Sequence, residues 1–206
     1  MAGETTTKSD SLGIWIRFWD VALAAAFLVG AFLMVRLEAI PQLKTLAAEK
    51  TYFATKPLLL DTYRRGYSFE TVRDHLRALG DNGRAYYAHD FIPIYDLALS
   101  LFLMTFMILF ILYATQSDKY HAIGLPSWVR KVLLVAPVIQ FLCDVGENVL
   151  LRMVIDSFPW IDAHIVARAS IYTQLKWIAI FCNTLIILGL GGYTLYQWLA
   201  RPAPKP

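Results

Sequence analysis

The sequence predicts an all-α integral membrane protein, a four-helix bundle with a long, partly helical connection between its first two spans. Three observations predict it. The chain is 57% hydrophobic and only 17% charged, where soluble domains usually carry about 25% charged residues. Residues 12–35, 91–115, 128–154 and 170–200 each reach the roughly 20 predominantly apolar residues that a helix needs to cross a bilayer. The tryptophans lie at or near the ends of these segments: Trp15 and Trp19 on the first, Trp128 and Trp160 about the third, Trp177 and Trp198 on the fourth. Indole prefers the headgroup level, so this placement is independent support for the spans.

The first span (12–35) follows the polar tail MAGETTTKSD, is too long for the apolar region of a signal peptide and lacks a small-residue cleavage site, so it is expected to remain as an anchor. Arg17 and Asp20 lie three residues apart near its start and are expected to pair at the membrane boundary. The connection that follows (36–90) should form an amphipathic cap. In GYSFETVRDHLRALGDNG, Ser68 is a good N-cap and Glu70 sits in the positive first turn, while Phe69, Val72, Leu76 and Leu79 recur at helical spacing. The turn formers Gly80-Asp81-Asn82-Gly83 then close the helix. A weaker helix is expected over 41–53, and Arg73, Arg77 and Arg84 suit a segment lying on the membrane surface.

The second span (91–115) is entered through RAYYAHDFIPIYDLALS. Pro93 has no amide proton, which predicts a break near Asp90 and a freed carbonyl beside His89. The third (128–154) contains QFLCDVGENVLLR and the fourth (170–200) follows ASIYTQLKW. Four spans put both termini on one side; the Lys and Arg counts near the span ends nearly balance, and only the basic connection DKYHAIGLPSWVRK favours termini inside. Cys143 and Cys182 both fall within spans, so neither a disulfide framework nor zinc spacing is present. A net charge of +3, spread along the chain, points away from nucleic acid.

A carboxylate in mid-span costs about 3 kcal/mol on insertion scales. Even so, the third span carries Asp144 and Glu147 with Asn148 on one arc, Gln140 a turn before and Arg152 a turn after. At 1.5 Å per residue, Asp96 of the second span lies roughly 7 to 8 Å below the long-connection side. Asp144, Glu147, Tyr172 and Lys176 fall at comparable depth, so three helices bring polar groups to one half of the membrane.

The elements quoted above, with D-x-x-E-N at 144–148 as the most recognisable, resemble a group of small bacterial four-span membrane proteins over residues 64–180. The resemblance implies a four-helix fold in the bacterial inner membrane with that element inside, and it supplies no activity. A looser, purely architectural likeness is to the emopamil-binding and sigma-2 receptor class, whose intramembrane acids bind sterols or amines. The first connection lacks the cysteine pair of claudin-type proteins.

Intramembrane ionisable groups are expected to be functional. The expectation is a pocket that binds or acts on membrane lipids or a lipid-like molecule (isoprenoid, sterol-like or acyl), with aromatic walls from Phe91, Tyr95, Phe141 and Trp177. Two carboxyls within one turn do not both ionise easily at low dielectric, which leaves an acid beside a base. Asp144 and Glu147 are the expected acid/base pair, Asn148 orients them, Asp96 supports them, and Lys176 or Arg152 binds an anionic head, with Tyr95, Gln140 and Tyr172 nearby. Three alternatives stand beside this: a buried ion network that only welds the helices, proton or solute transport through a homo-oligomer, and a metal held by His89 and Asp90 with the acids. Neither HxxxH nor ExxH spacing supports the last, and no cofactor is specified.

Overall fold

The computed structural model describes residues 16–115 and 125–200, apart from the side chain of Trp198. The polar tail, the start of the first span with Trp15, and the connection with Lys119 and His121 lie outside the described residues, as do Arg201 and Lys205. The fold is all-helical among the described residues. Helix α1 (Phe18–Met34) passes through a π-helical stretch, Val35–Ala39, into α2 (Ile40–Leu46), and is followed by the short α3 (Tyr52–Thr55) and a 3-10 turn at Leu60–Thr62. Helix α4 (Phe69–Tyr86) runs through a second π-helical stretch, Tyr87–Asp96, into α5 (Leu97–Thr115); α6 (Ser127–Asp156) and α7 (Ala163–Leu199) complete the chain.

Four of these runs, Phe18–Leu46, Phe69–Thr115, Ser127–Asp156 and Ala163–Gln197, are long and apolar enough to cross a membrane. Their boundaries differ from the sequence expectation in an instructive way. The first helix continues well past residue 35 because Pro41 sits in the first turn of α2, where its missing N–H is tolerated, and the π-helical turn before it absorbs the lost bond. The expected helix at 41–53 is split instead between α2 and α3. Ser68 caps α4 as expected, accepting the amide of Thr71 at 3.2 Å. The helix that Ser68 starts closes at Gly80, as the turn formers predict: Gly80 has φ 68° and ψ 177°, the Ala78 and Leu79 carbonyls accept from Glu49 N and Ala48 N, and a second helical segment begins beyond it. Pro93 widens the helix into a π-helix rather than breaking it, so the segment after Gly80 runs on into the span.

Helices α5, α6 and α7 pack on one another, while α1 lies along α5 and makes little contact with the other two. This is a three-helix core with a flanking helix, looser than a symmetric four-helix bundle. Residues 21–34 of α1 contain no polar side chain, so this stretch has nothing to offer the polar interior. The apolar core sits towards the cap: Leu43, Leu60, Leu76 and Leu79 meet Phe91, Leu151 and Ala169 there. Farther along the rods, Phe27, Leu142, Phe181 and Leu188 face outward, as expected where lipid replaces water. Close approach of α6 to α7 is made at Gly146, where a Cβ would lie 2.8 Å from the Tyr172 ring.

An acid cluster around Lys176

Where α5, α6 and α7 meet the cap, Lys176 is buried with 5% of its surface exposed. Its ammonium stands 2.6 Å from Glu147 Oε2, 2.9 Å from Asp144 Oδ1 and 3.5 Å from Asp61 Oδ2. Glu147 and Asp144 are one turn apart on α6 and so present both carboxylates to the same face of α7. Thr173, one turn before Lys176, donates its hydroxyl to Glu147 Oε1 and also faces the Ala169 carbonyl at 3.1 Å. Asn148 donates to Asp144 Oδ2 at 3.3 Å. Asp96, partly buried at the head of α5, joins the edge of the group beside Asp144 and Asn148.

The cap closes the site. Its 3-10 turn supplies Asp61, and three bonds seat that turn: Leu60 N donates to the Tyr87 hydroxyl at 3.3 Å, Trp177 Nε1 donates to the Asp61 carbonyl at 2.9 Å, and Tyr67 N donates to Ser170 Oγ at 2.9 Å. Arg64 lies over the Trp177 ring at 4.6 Å, a cation–π contact on the outer side. The Tyr67 phenol is buried against Glu147 and Thr173; burial first, then the neighbouring Glu147 charge, hold its pKa above the usual tyrosine range. It therefore remains an O–H donor at neutral pH.

Of the residues expected in the site, Asp144, Glu147, Asn148, Lys176 and Asp96 come together. Gln140 is buried one turn deeper and accepts from Asn183 Nδ2 at 2.6 Å. Arg152 does not reach the cluster: half-exposed, it lies 3.8 Å from Asp156 and 3.3 Å from His89 Nδ1 at the water boundary, where a long cationic side chain solvates its head. Tyr172 faces outward over Gly146, and Tyr95 turns away from the acids into a separate groove. His89 faces Asp156 at 3.8 Å and Asp90 is exposed. Among the described residues no group of three or more His, Cys, Asp and Glu is placed to hold a metal ion.

Thr173 and Asn183 were within reach of helical periodicity, standing three residues before and seven after Lys176 on one face. Asp61 and Tyr67 were not, because they lie in irregular backbone that carries no period. The chain matches no family model, no curated protein and no solved structure, so its function has to be argued from these residues.

Proposed function

We propose that this chain is a multi-pass membrane protein whose Lys176 cluster is an acid/base site acting on, or holding, a lipid-like molecule. One observation carries the proposal: Asp61, Asp144 and Glu147 all lie within 3.5 Å of a single buried ammonium, with Asp96 at the edge of the group. A structural ion pair needs one of each. Two carboxylates 4 Å apart repel by about 4 kcal/mol even at an effective dielectric of 20. Crowded carboxyls at low dielectric do not all ionise easily, and two of them within one helical turn are the arrangement that supplies an acid beside a base.

In this reading Glu147 and Asp144 exchange the proton, with Lys176 balancing the charge that remains. Thr173 and Asn148 fix the two carboxyl planes, and the partly buried Asp96 marks the edge by which a ligand reaches them. The test is mass spectrometry of small molecules that stay with the purified protein, comparing wild type with the isosteric Asp144→Asn/Glu147→Gln variant. The expected result is loss of a retained lipid-like species at an unchanged content of ordinary membrane lipid and an unchanged unfolding temperature. Identical retention in both proteins would refute the proposal.

A second reading, proton-coupled transport, draws on the Gln140–Asn183 pair, which carries buried polar groups deeper than the acids. Beyond it the interior closes on Met107 and Ile111. Proton flux into proteoliposomes that drops in the same double variant would favour transport over chemistry on a lipid.

A further inference from the structure

The link between α2 and α3 brings two lysines to one pocket on the cap. Lys44 stands in the last turn of α2, where the unpaired carbonyls of a helix end favour a cation. The helix ends at Ala47, and the chain beyond it is pinned to α4: Ala48 N donates to the Leu79 carbonyl at 3.2 Å and Glu49 N to the Ala78 carbonyl at 2.9 Å. Lys50 follows directly, in the turn that leads into α3. On α3, Phe53 meets the wholly buried His75 ring edge-on at 5.1 Å, which holds the phenyl ring in place as a wall. Lys44, Lys50, Phe53 and Ala54 together line a cavity of about 270 Å³.

The charge of this pocket is unbalanced. Among the described residues, no carboxylate stands within ion-pair distance of Lys44 or Lys50. Glu49, the nearest acid in sequence, is exposed and does not line the cavity; with Asp74 it lies towards the Tyr52 hydroxyl. Two ammoniums on one concave wall repel each other until an anion stands between them. The position along the helices is that of a headgroup. Phe18–Leu46 is one continuous helical run, and Leu37, an apolar side chain 74% exposed, marks its lipid-facing part if the chain is multi-pass. Lys44 comes two turns later, roughly 10 Å farther along the run. The headgroup layer adds roughly 5–8 Å on each side of the apolar core, and a lysine stem spans the remainder.

We propose that this pocket binds a phosphate-type anion, with Lys44 and Lys50 donating to its oxygens and Phe53 walling its inner side. The cavity falls just short of the roughly 300–1,000 Å³ that takes a whole drug-sized molecule, which suits a headgroup whose chains stay outside it. An ammonium-bearing head would meet two like charges, and a carboxylate brings only two oxygens to six N–H donors. The height of the pocket favours the phosphate of an anionic lipid over a soluble one. That choice of source rests on the multi-pass reading of the chain and not on the Lys176 cluster, so the two proposals fail separately.

The test is native mass spectrometry of the full chain, freed of lipid in an uncharged maltoside detergent and titrated with dioctanoyl phosphatidylglycerol. One lipid is expected to bind ahead of the rest, and Lys44→Gln/Lys50→Gln should weaken that binding by about thirtyfold. Both lysines are exposed, so the unfolding temperature should stay as it is. Lys44→Arg/Lys50→Arg should keep the binding, and so should Arg73→Gln/Arg77→Gln, which removes two exposed cap cations outside the pocket. Dioctanoylglycerol, which lacks the phosphate, and decanoate should not compete. Inorganic phosphate separates the two sources: displacement of the lipid at millimolar concentration assigns the pocket to soluble phosphate, and its failure to displace assigns it to the headgroup. Binding unchanged in Lys44→Gln/Lys50→Gln, binding lost equally in Arg73→Gln/Arg77→Gln, or equal competition by dioctanoylglycerol or decanoate would each overturn the assignment.

Discussion

Lys176→Met is expected to lower stability by about 3–5 kcal/mol, the usual penalty for removing one partner of a buried ion pair. Methionine keeps much of the length of the lysine stem, so packing changes little and the effect is electrostatic. What it leaves behind is Glu147 with no exposed surface, Asp144 almost as buried, and Asp61 held over them by the cap, all without a cation. For a chain of this size the loss corresponds to a fall of about 6–20 °C in unfolding midpoint, measurable by tryptophan fluorescence in detergent. Adding Asp144→Asn, Glu147→Gln and Asp61→Asn to the same background should recover most of the loss, because a neutral cluster needs no ammonium. A single variant within about 1 kcal/mol of wild type would mean that Lys176 does not hold these charges. The neutralised protein also separates function from glue. If it is as stable as wild type and has lost its retained small molecule, the charges serve the ligand; if it has lost nothing, they only join helices.

The part of this site that could be read from sequence is the part carried by regular helices. A fixed rise per residue placed Asp96, Asp144, Glu147 and Lys176 at one depth, and a fixed turn angle placed Glu147 and Asn148 on one arc. Both rules lose force at the ends of helices. Arg152 shares the stripe of Glu147 and Asn148 yet belongs to water, because one more turn carries it out of the interior to Asp156. Tyr95 precedes Asp96 by one residue and faces the opposite side, in a stretch where π-helical winding has shifted the register. Asp61 is separated from Asp144 by 83 positions and sits in a three-residue turn, so only the docked cap shows that it belongs to the site. The same limit applies to fold: composition fixed the four long apolar helices, but not that α1 would stand aside and open a groove.

Gly66→Ala is the second substitution with a large expected effect, about 2–4 kcal/mol, and it acts by lifting the cap from the acids. Gly66 has φ +80°, where an alanine costs about 1–2 kcal/mol by itself. A Cβ there would also run into Ser170 Oγ and lie 2.6 Å from Gln174 Nε2. Gln174 can swing away, but Ser170 Oγ is the acceptor for the buried Tyr67 amide, and moving it costs roughly another 1–2 kcal/mol. The control is Gly189→Ala, in a helical position where a Cβ meets nothing within 4 Å; there alanine should be neutral or stabilising by up to about 1 kcal/mol. Because Asp61 and Tyr67 flank Gly66 on the same loop, its release should be local before it is global. Trypsin cleavage after the exposed Arg64 and Arg65 should therefore accelerate at temperatures where the helices are still folded, and cleavage elsewhere should not. Equal cleavage rates in Gly66→Ala and wild type would show that the loop is not held by this contact. Accelerated cleavage together with loss of the retained small molecule would tie the cap to the site, since the loop that is freed carries Asp61, one of the three carboxyls in contact with Lys176.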